Sequence, residues 1–249
     1  MSGGLPSKGA RTDAGQDRQQ AARSVQQMFG AIAGDYDRLN HILSCGVDYY
    51  WWHRAARRFR HILRQQGAPV LDLCCGTGDM TFALYRRAGK NGATLTGADF
   101  TAQMLERARH KAGERAIEWV EADALKMPFE SGRFALVTSA FGFRNLADYD
   151  AGLREICRVL ADGGEVGILD FGMPKGVLGA IYRCYFRRIL PAIGSRLSKT
   201  RGPYAYLPAS VERFPAPGEM LERMKSAGFR EAAYTPYTFG IAGLYWGKK

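Results

Sequence analysis

The run Val70-Leu71-Asp72-Leu73-Cys74-Cys75-Gly76-Thr77-Gly78-Asp79 constrains this chain more than any other stretch. A short apolar segment enters a pair of glycines and leaves into a helix-like stretch over 80–87. That pattern marks the junction of a buried strand and a helix. Glycines there let a ligand reach the main chain, because no side chain intervenes. The spacing is not Gly-x-Gly-x-x-Gly, so a dinucleotide pyrophosphate has no well-matched seat. A second apolar run, 93–100, follows and completes a βαβ unit.

The same rhythm continues downstream. A helix is expected over 102–112, a strand over 117–122, a loop through Pro128, a strand over 134–141 and a helix over 149–160. A turn at Asp162-Gly163-Gly164 then precedes a strand over 165–171. Alternating strands and helices imply an α/β fold, a mostly parallel sheet with helices on both faces. Two last strand-like runs, 230–237 and 240–247, follow a helix over 217–227 and read as a closing hairpin. At 249 residues and 46% hydrophobic, the chain can bury one substantial core, so one domain is expected over 23–249.

Three segments lie outside the rhythm. Residues 1–22 are polar and read as a disordered tail. Residues 23–66 read as an N-terminal helical cap, with apolar and aromatic residues at helical spacing from Val25 to Phe59. Residues 172–217 read as a basic amphipathic insertion over the substrate: eight Lys and Arg stand against Glu212 alone, among Tyr182, Tyr185 and Phe186. The net charge of +11 points to an anionic partner, a nucleic acid or an acidic membrane surface. Five scattered cysteines form no Cys-x-x-Cys pair, so reduced thiols and no metal site are expected. No signal peptide or membrane span is recognisable, so a cytoplasmic protein is expected.

Three acidic residues end three successive expected strands, at the edge where ligands bind in such sheets. Asp72 stands four residues before Gly76, placed to take a ligand's ammonium or to order the loop. Asp99, about 20 residues beyond the glycines, is placed to accept both hydroxyls of a ribose or to cap the next helix. Asp123 is placed to receive an adenine amino group with Ala124 and Leu125 beside the ring, or to close a turn.

Together DLCCGTGD, GADF and EADALKMPF resemble the motifs of class I S-adenosylmethionine methyltransferases. A narrower resemblance rests on Phe141-Gly142-Phe143-Arg144-Asn145-Leu146, on Tyr36-Asp37-Arg38-Leu39-Asn40, and on Leu43-Ser44-Cys45-Gly46. These are similar to the quinone C-methyltransferases that act on demethylmenaquinone or on polyprenyl benzoquinols, and the likeness runs over 25–249. It implies a Rossmann-like, seven-stranded sheet with a C-terminal antiparallel strand, and S-adenosylmethionine as co-substrate. Contacts to it are implied for Asp72, Gly76, Thr77, Gly78, Asp99, Phe100, Asp123, Ala124 and Ala140, the last standing where the family often has serine.

Methylating a ring carbon requires electron density on it, which a quinol supplies once a hydroxyl proton leaves. Arg144 is the first candidate for stabilising the phenolate, against the alternative of a salt-bridged arginine, with Asn145 beside it. Tyr36 and Asp37 would close over the co-substrate, Asp37 as a base, with His53 a weaker base candidate. A membrane-resident polyprenyl quinol implies transient docking on an anionic membrane surface, peripheral to its inner face. Exposed aromatics of the insertion are alternatively a homodimer contact. An RNA methyltransferase is the main rival, but no Asn/Asp-Pro-Pro-Tyr/Phe motif is present and no nucleic-acid partner is expected. Another small-molecule C-methyltransferase is a further alternative.

Overall fold

A computed structural model describes residues 46–174 and 202–249, together with Gly9, Gln26, Ser44, Gly176 and Gly179. Within these residues the strands are β1 Pro69–Leu73, β2 Thr94–Asp99, β3 Ile117–Glu121, β4 Phe134–Ala140, β5 Leu160–Phe171, β6 Glu231–Tyr237 and β7 Ala242–Lys248. The helices are α1 Val47–Arg58, α2 Arg60–Leu63, α3 Asp79–Ala88, α4 Ala102–Ala112, α5 Tyr149–Val159, α6 Gly202–Arg213 and α7 Pro217–Ser226. The strands form one sheet in the order β3-β2-β1-β4-β5-β7-β6. Pairing is parallel from β3 to β5, and β7 runs antiparallel between β5 and β6. The order reverses between β1 and β4, which is the topological switch point of such a sheet.

Side chains alternate across each strand, so the two faces separate into two cores. Leu71, Leu73, Val137 and Ile168 pack beneath α5 and α7, against Leu153, Ile156, Met220 and Met224. Val70, Leu95, Leu136 and Leu169 pack on the other face, against Trp51, Phe59 and Leu63 of α1–α2 and Leu84 of α3. Fully burying a side chain of this size contributes about 1.5–3 kcal/mol relative to exposure. Helix starts follow local chemistry: the Asp148 carboxylate accepts from the Asp150 and Ala151 N–H groups at the start of α5, and α7 begins with Pro217.

The structure departs from the sequence expectations in several places. The expected turn at Asp162–Gly164 is taken up into β5, whose pairing with β4 shifts register between Phe134 and Leu136. The described part of the N-terminal cap is no separate cap, because α1 and α2 form part of the helical layer on one face of the sheet. Gly9, inside the expected disordered tail, lies so close to Ala147 that an added Cβ would fall 1.9 Å from its carbonyl oxygen. Most of the basic insertion lies outside the described residues. Its C-terminal end has two faces: α6 and the residue after it bury Tyr206, Ser210, Val211 and Phe214, while Ala209, Glu212 and Arg213 are exposed. That spacing places one helical stripe inward. No described helix is long and apolar enough to cross a membrane.

Candidate functional site at the carboxyl edge of the sheet

The loop after β1 is built on unusual backbone. Cys74 adopts φ 55°, a left-handed conformation that residues with a Cβ rarely take, and Gly76 and Gly78 follow at φ 55° and 93°. Space above Gly76 is open, with nothing within 4 Å of where a Cβ would stand. The Gly76 N–H donates to Asp99 Oδ2 at 2.8 Å, and the Thr101 N–H donates to Asp99 Oδ1 at 2.9 Å. Asp99 therefore fixes the loop while ending β2, and the Thr101 hydroxyl and the Phe100 main chain also bond its carboxyl. Burial raises its pKa, an effect these N–H donors oppose. Phe100 next to it accepts from Gln26 Nε2 through its carbonyl at 2.8 Å, bringing one residue of the N-terminal segment to this edge.

Asp72 is fully buried, and accepts hydrogen bonds from Thr81 Oγ1 of α3 at 2.6 Å and Thr138 Oγ1 of β4 at 2.8 Å. Burial pushes its pKa from the ordinary 3.8 to about 7, against the opposing pull of the two hydroxyls. It ties β1 to α3 and β4 and is not presented to a ligand's ammonium.

The Thr77 side chain is buried and its Oγ1 accepts from Lys111 Nζ at 3.1 Å, while Lys111 pairs with Asp79 at 2.7 Å. Asp123 is exposed and closes a turn through the Leu125 N–H at 2.9 Å, with Ala124 buried behind it. Trp119, unnoticed in the sequence, lies over the glycines: a Cβ on Gly97 would fall 2.4 Å from its ring, and one on Gly78 2.7 Å. Glycine inside the β2 pattern was the readable signal of that close approach.

The segment after β4 meets the loop after β1. A Cβ on Gly142 would fall 2.4 Å from Cys74 Cβ, so only glycine permits the two loops to abut. Half-exposed Ala140 ends β4, and Phe141 follows at φ 57°. Its ring stacks obliquely on Phe171 at 4.5 Å and meets Trp51 of α1 at 5.7 Å. Phe143, Arg144 and Asn145 then form one 3-10 turn.

Of the two readings of Arg144, the structure shows the salt-bridged one, a buried ion-paired cation. Its Nη1 donates to Asp170 Oδ1 at 2.8 Å and to the Phe141 carbonyl, and its N–H donates to Asp170 Oδ2 at 3.0 Å. Its guanidinium lies 5.1 Å from the Phe171 ring centre. The Tyr149 hydroxyl donates to the Arg144 carbonyl at 2.9 Å. Asn145 stands beside this pair, and its Oδ1 accepts from the Tyr206 hydroxyl of α6 at 3.2 Å. That bond leaves the Asn145 Nδ2 end as the donor. Burial raises the pKa of both tyrosines, keeping them protonated. Tyr36 and Asp37 lie outside the described residues. His53 is exposed on α1, its Nδ1 2.7 Å from the Tyr49 carbonyl.

The arrangement fits S-adenosylmethionine. Gly76 clears the approach to the loop, Asp99 ends β2 with its carboxyl at this edge, and Asp123 with Ala124 follows just beyond β3. An aromatic cluster of Trp51, Phe141 and Phe171 adjoins this edge.

Comparison with known proteins gives a consistent result. Residues 15–249 match the family described as the ubiE/COQ5 methyltransferase family. A demethylmenaquinone methyltransferase of Deinococcus radiodurans is 44% identical over 236 residues, covering 94% of this chain and 95% of that protein. One of Thermus thermophilus is 47% identical over 227 residues, covering 89% of this chain and all of that protein. Among solved structures, the [4+2]-cyclase SpnF superposes with a TM-score of 0.66 at 17% identity, over 97% of this chain and 99% of that one. That likeness establishes the shared fold and leaves the chemistry to the site.

Proposed function

The chain belongs to the ubiE/COQ5 methyltransferase family, and from that premise we propose that it methylates a ring carbon of a polyprenylated quinol, with S-adenosylmethionine as methyl donor. The observation that carries the reading is the abutment of Gly142 on Cys74, which sets the Arg144–Asn145 turn against the co-substrate loop. The names of the two relatives above favour a naphthoquinol, demethylmenaquinol, over a benzoquinol acceptor.

Bound S-adenosylmethionine supplies an electrophilic methyl group on sulfonium. The chain's own residues do the rest. Gly76 admits the molecule to the main chain, Gly78 lets the loop turn beneath Trp119, Asp99 takes the ribose hydroxyls, Asp123 and Ala124 take the adenine, and Ala140 lines the end of β4. Losing the hydroxyl that the family often carries at 140 costs one hydrogen bond, about 0.5–1.5 kcal/mol. Asn145, fixed by Tyr206, donates from Nδ2 to the oxygen of the quinol as its proton leaves. Arg144, neutralised by Asp170, holds that turn in place and lends a cation's field without an open charge. Tyr36 and Asp37 are proposed to close over the site, Asp37 accepting the proton. The rings of Trp51, Phe141 and Phe171 keep water from the reacting carbon and receive the apolar acceptor. An acceptor of this kind resides in a bilayer, so transient contact with an anionic membrane surface is part of the proposal.

The test is transfer of labelled methyl from S-adenosylmethionine to reduced demethylmenaquinol, to a demethylated benzoquinol and to bulk RNA, in parallel. Label is expected in the quinol fraction and not when the same compound is supplied as quinone, whose ring lacks the electron density. Label in RNA alone would overturn the substrate assignment.

A further inference from the structure

Helix α1 has two unlike faces. It buries Trp51, Trp52, Ala55 and Ala56, and turns Tyr49, Tyr50, Arg54, Arg57 and Arg58 outward, with exposed Arg60 following. Asp48 is the only acidic residue between positions 46 and 68, and it is buried. Among the described residues Arg57 and Arg60 have no carboxylate partner. The helix runs from the site edge, where Trp51 meets Phe141 and Phe171, to the opposite edge, where Arg58 approaches Glu165. Its exposed tyrosines therefore stand at the site end and its arginines along the flank.

A second feature lies beside the tyrosines. Phe239 is 83% exposed, in a turn where Thr238 and Phe239 both take left-handed backbone, φ 46° and 56°. Two successive non-glycine residues in that region persist only where the surroundings hold them. Trp51 Nε1 donates to Thr238 Oγ1 at 2.8 Å and ties the turn to α1, while Arg54 lies over the Tyr237 ring at 4.4 Å and donates to the Tyr50 hydroxyl. A large ring held out to solvent by strained backbone, next to two exposed tyrosines and a row of arginines, is one continuous surface.

We propose that this surface, the outward face of α1 with the Phe239 turn, docks on an anionic lipid bilayer and sets the aromatic edge of the site against it. The proposal rests on the quinol reading for its purpose and names the surface that reading requires. Tyrosine rings suit the headgroup level, an exposed phenylalanine gains from apolar burial beneath it, and arginines reach the phosphates. The aromatics are grouped at one end of the cations, which suits insertion at a lipid boundary better than the interleaving that stacks nucleic-acid bases.

The full chain is sedimented with vesicles of phosphatidylcholine alone and of phosphatidylcholine with phosphatidylglycerol. Binding is expected only to the second. The double variant Arg57→Gln/Arg60→Gln should weaken it roughly thirtyfold, two arginines at about a fivefold loss each or slightly more, and Phe239→Ser should weaken it separately. Both variants should keep native activity toward a quinol with a truncated, water-soluble side chain and lose it toward vesicle-embedded quinol. Unchanged partitioning of both variants would overturn the proposal, as would native protein that ignores anionic vesicles and binds RNA. Failure to methylate the truncated quinol would count against the quinol reading instead, while the vesicle measurement still decides the docking surface.

Discussion

Asp72→Asn should abolish a pH dependence that the buried carboxyl imposes on the fold. Asparagine has the shape of a protonated aspartic acid and can still meet Thr81 and Thr138, which bond the carboxyl at 2.6 and 2.8 Å. The native pKa of Asp72 is raised from 3.8 to about 7, chiefly by burial. Between those values the folded chain keeps a proton that the unfolded chain has released. The unfolded state thus binds fewer protons, and stability falls as pH rises, by about 1.4 kcal/mol per pH unit. The cost is absent below the unfolded value and fully present above about pH 7. From pH 5 to pH 7 the native protein should therefore lose roughly 2 kcal/mol relative to the variant, other titrating groups cancelling in the difference. Urea denaturation of both proteins at pH 5, 6 and 7 measures it. A stability difference that stays flat over that range would mean the carboxyl is ionised throughout, and would refute the argument that burial outweighs its two hydroxyl partners.

Two further outcomes follow from the site. Asp170→Asn leaves the Arg144 charge uncompensated where both side chains are buried, and should destabilise the fold by about 3–5 kcal/mol, seen as a lowered urea midpoint. Asp99→Ala removes a charged acceptor from the Gly76 and Thr101 N–H groups and from the ribose. Calorimetric titration should show S-adenosylmethionine affinity falling roughly 10- to 100-fold, the worth of hydrogen bonds to a charged group, with the midpoint of unfolding much less affected than in Asp170→Asn.

What the sequence disclosed and what it hid divide along physical lines. The strand-to-helix junctions were legible because apolar runs, glycines and acidic residues sit within ten residues of one another. The position of Asp99 followed from the same local spacing. The salt-bridged alternative for Arg144 had no named partner in the sequence, because Asp170 stands 26 residues away and meets it only through the register of β4 on β5, where Ala140 lies opposite Leu169. The bond from Lys111 to Thr77 was likewise hidden, since the two stand 34 residues apart. Counting arginines in the insertion hid the buried stripe of Tyr206, Ser210, Val211 and Phe214, although its helical spacing was present in the sequence. Trp119 was missed because nothing in a strand's alternation tells which neighbouring strand has a glycine under the ring.

The pairing of β1 with β4 is in register only from Val70–Leu136 to Asp72–Thr138, yet among the described residues it is the sole strand-to-strand link between the β3-β2-β1 half of the sheet and the β4-β5-β7-β6 half. It joins segments more than 60 residues apart, so it closes late and at a high entropic cost. A small molecule resting on loops from both halves would act as a clasp across that line, slowing its opening. Amide exchange of Leu71 and Val137 should then respond to co-substrate more strongly than exchange at the far edge of β6, making the act of binding visible in the tempo at which the sheet parts.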